Sequence, residues 1–334
     1  MRNTSRFEWL RRMALFAVAV ATPFFMFSAR AAQWPEREIH LVVPWSVGGP
    51  SDTFARIVAQ ELSKTLGQTV VVENKAGATG TIGVRHVARA KPDGYTLLFG
   101  NTVSLIGSVV FSAEPPQFDP VRDFVPVGLV VETSYILSAH PSAGVKNWQE
   151  FFKRITDANQ PPLAVGSTGN GATSDIFYDW LIDRYKVRLT KIAFKGTGPL
   201  VSDLIAGHLP VGSAGLSLGS QYYREGKIFP LAIVGSARLP ELPDVPSARE
   251  LGLNAPDLTV WDGVFAPSGT PADVLARLSS ALKQATESAT FRDVARKNGS
   301  SAVFQGESEA ARRLQKDLAE RRQFKNDLQG KSTN

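Results

Sequence analysis

The sequence has 334 residues, enough for two domains or one large one, and its hydrophobic share of 43% is that of an ordinary globular protein. It contains no cysteine, which excludes disulfide bonds, thiolate metal ligands, a cysteine nucleophile and a lipid anchor on cysteine. The formal net charge is +6, but residues 1–31 contribute five arginines against one glutamate. The rest of the chain therefore carries only +2, which does not indicate a nucleic-acid partner.

The N-terminal segment has the pattern of an export signal. Arginines at positions 2, 6, 11 and 12 accompany an apolar run at 13–27, and Ala29-Arg30-Ala31 fits a small-x-small cleavage site. The run is shorter than the roughly 20 residues that span a bilayer, and no later segment is long and apolar enough to do so. We expect an exported protein cleaved near Ala31, with both Sec and twin-arginine export left open.

The first chemically informative stretch is 41–56, which predicts a strand, a glycine turn and a helix. Ser51 or Asp52 is a candidate helix cap, and the helix continues from about Thr53. Such a turn directs unpaired N–H groups and the positive end of a helix dipole towards an anion. The alternative is that Gly48 and Gly49 only make a tight turn.

Strand-like runs then alternate with helix-like segments, which is typical of mainly parallel sheets flanked by helices. Strands are predicted at 39–43, 70–73, 95–99, 163–165, 191–194, 209–211, 229–234 and 258–265. Two apolar runs without a helix between them, at 125–131 and 135–139, would carry the chain into a second domain. A proline-rich linker is predicted at 239–246.

The C-terminal part predicts two further features. A helix begins at Pro271, the favoured first position of a helix. The last helix is amphipathic, with Leu314, Leu318 and Leu328 on one face. Its arginines are predicted largely on the other face: Arg312, Arg313, Arg321 and Arg322.

Four loops that follow predicted strands combine glycine with serine, threonine or asparagine: 44–52, 77–81, 100–104 and 167–173. Loops of this kind lie together at the carboxyl ends of strands and offer neutral hydrogen-bond donors. They suit a small carboxylate. The spacing G-x-x-G-x-x-G at 77–83 is not the dinucleotide fingerprint, and the sequence has no phosphate-loop lysine motif, so nucleotide binding is not expected.

A serine hydrolase is the alternative from another functional class. Residues 215–219 read G-x-S-x-G, but the hydrolase order needs a histidine after Ser217. All four histidines precede that serine, so only a Ser–Lys pair with Lys227 stays open. The histidines are also too scattered to indicate a metal site, and no cofactor is expected.

Seven segments in order resemble the Bug family, the exported solute-binding proteins of tripartite tricarboxylate transporters. The resemblance covers about residues 34–328. The segments are PWSVGGPSD (44–52), VVENKAGATGTIG (71–83), PDGYTLL (92–98), FDPVRDF (118–124), FKG (194–196), LPDVP (242–246) and APSGTP (266–271).

The resemblance implies an α/β, two-domain Venus flytrap of the periplasm. It would close on a small organic carboxylate and work with the permease subunits of a membrane transporter. The implied signal peptide covers residues 1–31. The implied first domain covers 32–133 and is completed by 239–334, and the implied second domain covers 134–238. A monomer without catalytic residues is expected. A carboxylate sensor for a membrane receptor would share the same pocket, and the sequence does not separate the two.

The resemblance also implies which residues bind the ligand, mainly through backbone amides, with Trp45 as an aromatic wall. In the first domain they are Trp45, Ser46, Gly48, Gly49, Ser51, Asp52, Ala78, Thr79, Gly80, Asn101, Thr102 and Trp261. In the second domain they are Ser167, Thr168, Asn170, Gly171, Ala172, Thr173 and Ala214. The sequence departs from the family pattern in two places: Ala214 stands where many relatives carry an aspartate, and 101–104 reads NTVS where relatives often have a Thr/Gly-rich run.

Overall fold

The computed structural model describes residues 34–112, 117–169, 171–194, 196–235, 237–253, 255, 257–328 and 330. The chain divides into two compact units, Met1–Glu36 and Arg37–Asn334, and the strands and helices of the described residues lie in the second unit. The predicted export signal lies outside the described residues.

The strands of the described chain, in order, are β1 (Ile39–Val43), β2 (Val70–Asn74), β3 (Thr96–Asn101), β4 (Phe124–Thr133), β5 (Tyr135–Ala139), β6 (Leu163–Ser167), β7 (Leu189–Ala193), β8 (Val211–Ala214), β9 (Phe229–Val234), β10 (Val260–Pro267) and β11 (Ser300–Gly306). The α-helices are α1 (Pro50–Leu66), α2 (Thr81–Ala88), α3 (Ser108–Val110), α4 (Trp148–Thr156), α5 (Thr173–Tyr185), α6 (Thr197–Ala206), α7 (Leu216–Arg224), α8 (Ala272–Glu287), α9 (Ala289–Lys297) and α10 (Glu307–Leu328).

The strands form two mixed sheets. The first has the order β11-β4-β10-β3-β1-β2, and the second has the order β7-β6-β8-β5-β9. In the first, β1 is parallel to β2 and β3, whereas β10 and β11 run antiparallel to their neighbours. In the second, β6 is parallel to β7 and β8, and β5 runs antiparallel to β8 and β9.

This mixture of parallel and antiparallel strands differs from the mainly parallel sheets expected from the sequence. The difference arises at the two crossings, where the chain passes from one sheet to the other. The strands β4 and β5 are separated by a single residue, and β5 begins beside the carboxyl ends of β8 and β9. Likewise β10 begins beside the carboxyl ends of β3 and β4. A strand that enters a sheet at its carboxyl edge must run against the strands that end there.

The two crossings lie side by side. A Cβ atom added to Gly235, just after β9, would lie 3.0 Å from Ser134 Oγ and 3.4 Å from Thr259 Oγ1. The carboxyl edges of both sheets therefore meet at these crossings. The domain limits predicted from the sequence remain a prediction.

Helix α1 shows how the sequence builds a buried helix face. Its apolar face contains Phe54, Val58 and Leu62, which are buried with the predicted helical spacing. The N-cap is Gly49, with Pro50 at the first helical position, and neither Ser51 nor Asp52 caps the helix as predicted. Both side chains are buried and hydrogen-bond elsewhere. Helix α8 likewise begins at Ala272, one residue after the predicted start.

Helix α10 corrects one prediction on the C-terminal segment. Leu314 and Leu318 are buried, as predicted, in a hydrophobic cluster with residues of β3 and β10, and Leu328 packs against the hydrophobic cluster of the second sheet. Arg321, predicted on the polar face, is 5% exposed, and its Nη2 donates to Asp257 O at 2.7 Å. Arg321 lies seven residues after Leu314, two helical turns along, so it shares the buried face. Burial lowers the pKa of Arg321 to about 10, with Asp317 acting in the opposite direction.

Across the described ranges of the chain, no helix combines the length and hydropathy needed to cross a membrane.

Candidate functional site

The predicted binding loops converge because both sheets present their carboxyl edges at the crossings. The π-helical turn Val103–Gly107 follows β3, and the loop around Gly171 follows β6 of the other sheet. These two segments touch: a Cβ atom added to Gly107 would lie 2.5 Å from Gly171 O. The structure therefore brings a loop of the first sheet against a loop of the second.

Asp52 organises the loop between β1 and α1. Its Oδ2 accepts hydrogen bonds from Gly48 N at 2.9 Å and Arg56 Nε at 3.0 Å, and its Oδ1 accepts from Asn74 Nδ2 at 2.9 Å. Asn74 Nδ2 also donates to Trp45 O at 3.0 Å. Burial acts to raise the pKa of Asp52, but the hydrogen bonds outweigh it and the pKa lies below its usual value. We infer that Asp52 shapes the loop.

A second network joins α1, β3 and β10. Ser51 Oγ donates to Asp262 Oδ1 at 2.6 Å, and Asn101 Nδ2 donates to Ser51 Oγ at 3.2 Å. Asp262 is 3% exposed, and burial raises its pKa to about 6 against the opposing hydrogen bonds from Ser51 and Asn101. The sequence reasoning missed Asp262. Its signal was available, because Asp262 is the one charged residue in the predicted strand 258–265.

The end of β3 is held by an internal turn. Asn101 Oδ1 accepts from Ser104 N at 2.9 Å, and Asn101 N donates to Ser104 Oγ at 3.1 Å. Thr102 Oγ1 accepts from Trp261 N at 3.0 Å. Asn101 and Thr102, both predicted to bind ligand, are buried with their side chains engaged in these contacts. Ser104 contributes to this turn, although it was not among the residues predicted to bind ligand.

The loop after β2 has an unusual backbone. Ala78 and Thr79 have φ of 48° and 55°, and Gly80 follows with 88°. A left-handed conformation is costly for a β-branched residue such as Thr79 and is found mainly where the surroundings enforce it, often at binding sites. A Cβ atom at Gly80 would lie 2.8 Å from Ser104 Cβ, so this loop packs closely on the turn after β3.

The loop after β6 is held by a buried acid. Ser167 Oγ donates to Asp175 Oδ1 at 2.9 Å and accepts from Gly169 N at 3.2 Å. Lys191 Nζ lies 3.0 Å from the same Asp175 oxygen. Ala172 is the N-cap of α5, and Thr173 is its first residue. Thr168 is partly exposed, and Asn170 lies outside the described residues.

The two tryptophans predicted to bind ligand, Trp45 and Trp261, differ in their burial. Trp261 has no exposed surface; it packs on Phe265, and its Nε1 donates to Asp317 Oδ2 at 2.8 Å. Trp261 therefore belongs to the core, which corrects its prediction as a binding residue. Successive residues of a strand point to opposite faces, so Trp261 points away from the face that Asp262 occupies. Trp45 is partly exposed, and its buried Nε1 has no partner among the described residues.

The remaining predicted residues lie at the same edges. Ser46 and Gly48 are exposed in the loop after β1, and Gly49 ends it. Ala214 is the last residue of β8, paired with Ile136 of β5. Ser217 is the second residue of α7, directly after that strand. Within the ranges described, no cluster of histidine, aspartate and glutamate could hold a metal ion.

A separate groove of about 540 Å³ lies between α5 and α10. Its lining contains none of the predicted binding residues: Phe111, Asp175, Asp179, Ile182, Asp183, Lys186, Lys325 and Leu328. The candidate site is therefore identified by the convergence of loops at the strand ends, apart from this groove.

Comparison with known proteins identifies the family. The family model described as tripartite tricarboxylate transporter family receptor matches residues 54–327. This chain belongs to that family. A relative in Agrobacterium vitis, the UPF0065 protein in the TAR-I ttuE-ttuC' intergenic region, is 37% identical over 254 residues, which are 75% of this chain and 72% of the relative.

Solved structures of this family share the fold. The periplasmic binding protein BugD superposes with a TM-score of 0.78 and 29% identity, over 89% of this chain and 99% of BugD. MatC from Rhodopseudomonas palustris with bound malate has a TM-score of 0.75 and 33% identity, covering 87% of this chain and 100% of MatC. Rpa4515 of R. palustris with adipate has a TM-score of 0.79 and 26% identity, covering 89% and 98%.

These likenesses confirm the predicted resemblance to the Bug family and the predicted two-domain α/β fold of periplasmic binding proteins. As a member of this family, the chain is a solute-binding protein. The family and its structural neighbours are binding proteins of the periplasm.

Proposed function

We propose that this chain captures a small organic carboxylate between the loops of its two sheets and delivers it to a tripartite membrane transporter. The observation that carries the proposal is the contact between Gly107 and Gly171, because it brings donor-rich loops from both sheets to one place. Malate and adipate, bound by MatC and Rpa4515, are carboxylates of the class proposed here.

The anionic end of the ligand would lie at the start of α1. The first backbone N–H groups of a helix have no intrahelical partner, and the helix dipole adds positive potential there. Asp52, the acid in the first turn of α1, already accepts bonds from Arg56, Gly48 and Asn74, which leaves its charge compensated. The ligand-facing roles of the predicted residues other than Trp261 remain part of this proposal.

We propose that the chain acts as a binding protein and has no enzymatic activity. The open alternative used Ser217 with Lys227 as the base. Lys227 Nζ lies 2.8 Å from Glu225 Oε2, and the hydrogen bond with Glu225 raises the pKa of Lys227. A lysine that is held protonated is a poor general base. Turnover of an ester, lost in Ser217→Ala, would instead support the hydrolase.

The testing experiment is a thermal-shift screen of the chain from about Ala32, refolded to strip carried-over ligand. Mono-, di- and tricarboxylates and aromatic acids serve as probes. A ligand at about 100 times its Kd stabilises the protein by about 2.7 kcal/mol, a shift of a few degrees at this size. Stabilisation confined to one class of carboxylate supports the proposal and names the ligand class. No shift with any acid contradicts it.

A second measurement separates transport from sensing. The chain would be exported, cleaved near Ala31 and act as a monomer in the periplasm. Cells lacking this protein should lose uptake of the radiolabelled acid identified in the screen, and regain it when the protein is restored. Unchanged uptake together with a lost transcriptional response to the acid would favour the sensor.

A further inference from the structure

The carboxyl group of Asp262 is buried, and its partners among the described residues are neutral side chains. Elements on several sides pack against it: α1 contributes Ser51, β3 contributes Asn101, and β4 contributes the backbone of Val131 opposite Asp262. At the start of β5, the pKa of Tyr135 is raised to about 12 by burial and by the charge of Asp262. In the described part of the chain, no basic side chain is among the groups that shift the pKa of Asp262.

Ser51 has one proton to donate. In the structure that proton is directed to Asp262 Oδ1 at 2.6 Å, and the oxygen of Ser51 accepts from Asn101 Nδ2. Ser51 is the second residue of α1, at the helix end where we place the ligand carboxylate. While Asp262 is ionised, the hydroxyl of Ser51 has no proton left for that ligand.

A protonated Asp262 reverses this hydrogen bond. The carboxylic acid O–H would donate to Ser51 Oγ, whose two lone pairs then accept from Asp262 and Asn101. The hydroxyl proton of Ser51 becomes free to donate to an anion. Ser51 Oγ keeps its bond from Asn101 Nδ2, and Ser51 and Asp262 stay hydrogen-bonded to each other, so the reversal leaves neither member of this pair without a partner.

We propose that Asp262 takes up one proton from solvent when a carboxylate binds, which turns the Ser51 hydroxyl from Asp262 towards the ligand. This inference rests on the proposed function. One proton leaves hydronium or the acid form of the buffer, whose bond to that proton breaks, and forms an O–H bond on an Asp262 oxygen. No other covalent bond changes. The proton offsets one negative charge of the ligand, so the site gains no net charge from that carboxylate.

The environment of Asp262 makes such uptake accessible near neutral pH. Burial holds its pKa at about 6 without ligand, and a nearby anion raises the pKa of a carboxyl further. The group would be mostly ionised at pH 7 in the free protein and protonated in the complex.

The test is isothermal titration with malate and adipate as probes. Titrations are run at several pH values at which both probes are fully ionised, in buffers of different ionisation enthalpy. We expect uptake of close to one proton per ligand and a Kd that rises about tenfold between pH 7 and 8. Asp262→Asn and Ser51→Ala should both abolish the proton uptake and flatten the dependence of Kd on pH.

Asp293→Asn is the matched control. Asp293 is partly exposed on α9, where Lys297 and Arg296 lower its pKa, so it should stay ionised throughout. This variant should keep the proton uptake of the wild type. Equal proton uptake in Asp262→Asn and the wild type would overturn the proposal.

Infrared difference spectra keep the test independent of whether the variants fold. Addition of the binding probe to the wild-type protein should produce the C=O band of one protonated carboxyl group. Binding without that band and without proton uptake would overturn the role of Asp262 and leave the proposed function intact. Absence of binding by any carboxylate would overturn both.

Discussion

The backbones of Gly107 and Gly171 are in direct contact, although one residue follows a strand of the first sheet and the other a strand of the second. A Cβ atom at Gly107 would lie 2.5 Å from Gly171 O, and one at Gly171 would lie 2.7 Å from Gly107 O. Neither backbone can yield as a flexible side chain would. Only two glycines allow the loops to approach this closely.

Alanine at position 107 should therefore separate the two loops. Gly107 has a helical φ of −56°, so Gly107→Ala has no local backbone cost and the variant should fold. We expect carboxylate affinity to fall by about tenfold or more, since about 1.4 kcal/mol of lost contact corresponds to a factor of ten. Titration calorimetry measures the affinity, and small-angle scattering should show a larger radius of gyration.

Gly198→Ala is the control for that variant. Nothing lies within 4 Å of a Cβ atom at Gly198, in the first turn of α6. Unchanged affinity in this control, with reduced affinity in Gly107→Ala, would locate the effect at the loop contact. Equal affinity in both variants would show that the contact is dispensable for binding.

The titration of Asp262 should make the stability of the ligand-free protein fall as pH rises. Its pKa is about 6 in the folded protein against 3.8 for the unperturbed group. Because the pKa of Asp262 is higher in the folded than in the unfolded protein, its protonation stabilises the folded state. This stabilisation is complete below the pKa of the unfolded protein and is lost as pH rises through the pKa of the folded protein. As pH rises from 4 to 7.5, the free energy of unfolding of Asp262→Asn should therefore increase relative to that of the wild type, by up to about 3 kcal/mol.

Urea unfolding at pH 4 and pH 7.5 measures this difference. Because both proteins share every other titrating group, the change in their difference isolates residue 262. A constant difference between the two proteins across this pH range would contradict a raised pKa at Asp262.

The sequence located most elements but not their ends, and β3 shows why. The predicted strand 95–99 is observed as Thr96–Asn101, because its last residues pair with β10, which lies far along the chain. In contrast β1 has the predicted bounds, since a local apolar run and Pro44 determine them. Pairing with distant strands leaves no local signal.

The candidate site was predicted as a set of loops, and the errors came from side-chain direction. Residues 261 and 262 point to opposite faces of β10, but the sequence does not say which face meets α10. Trp261 was assigned to the ligand and Asp262 was overlooked, whereas the structure buries the first in the core and joins the second to Ser51. Helical spacing would have placed Arg321 on the buried face, but its residue type suggested the opposite.

Asp52→Ala should destabilise the loop after β1. Removal of the carboxylate leaves Gly48 N without its acceptor and Asn74 Nδ2 with Trp45 O alone, which should cost about 2–3 kcal/mol. The pKa of Asp52 is lowered, so its contribution is present above the ordinary pKa and is lost as pH falls below that value. Urea unfolding should therefore show a smaller difference from the wild type at pH 3 than at pH 7.

Asp52→Asn provides the matched comparison. It keeps the side-chain shape and one oxygen acceptor but loses the charge facing Arg56, so its loss of stability should be smaller than that of Asp52→Ala. If Asp52→Ala unfolds at the same urea concentration as the wild type, the loop does not depend on this acid.

Asp317 should matter for stability through the indole of Trp261. Asp317→Ala leaves Trp261 Nε1 without its acceptor and removes the partner of Arg313 Nε, so we expect a loss of about 1–3 kcal/mol. Asp317→Asn retains an oxygen that can accept from the indole, and should lose less. Glu320→Ala, on the same helix with a side chain 49% exposed, is the control and should change stability little.

Urea unfolding measured by far-ultraviolet circular dichroism compares the three variants, because it does not depend on the tryptophan signal. Carboxylate affinity should remain near that of the wild type in Asp317→Asn, since Trp261 has no surface for a ligand to contact. A stable Asp317→Asn protein with strongly reduced affinity would instead return Trp261 to the binding site.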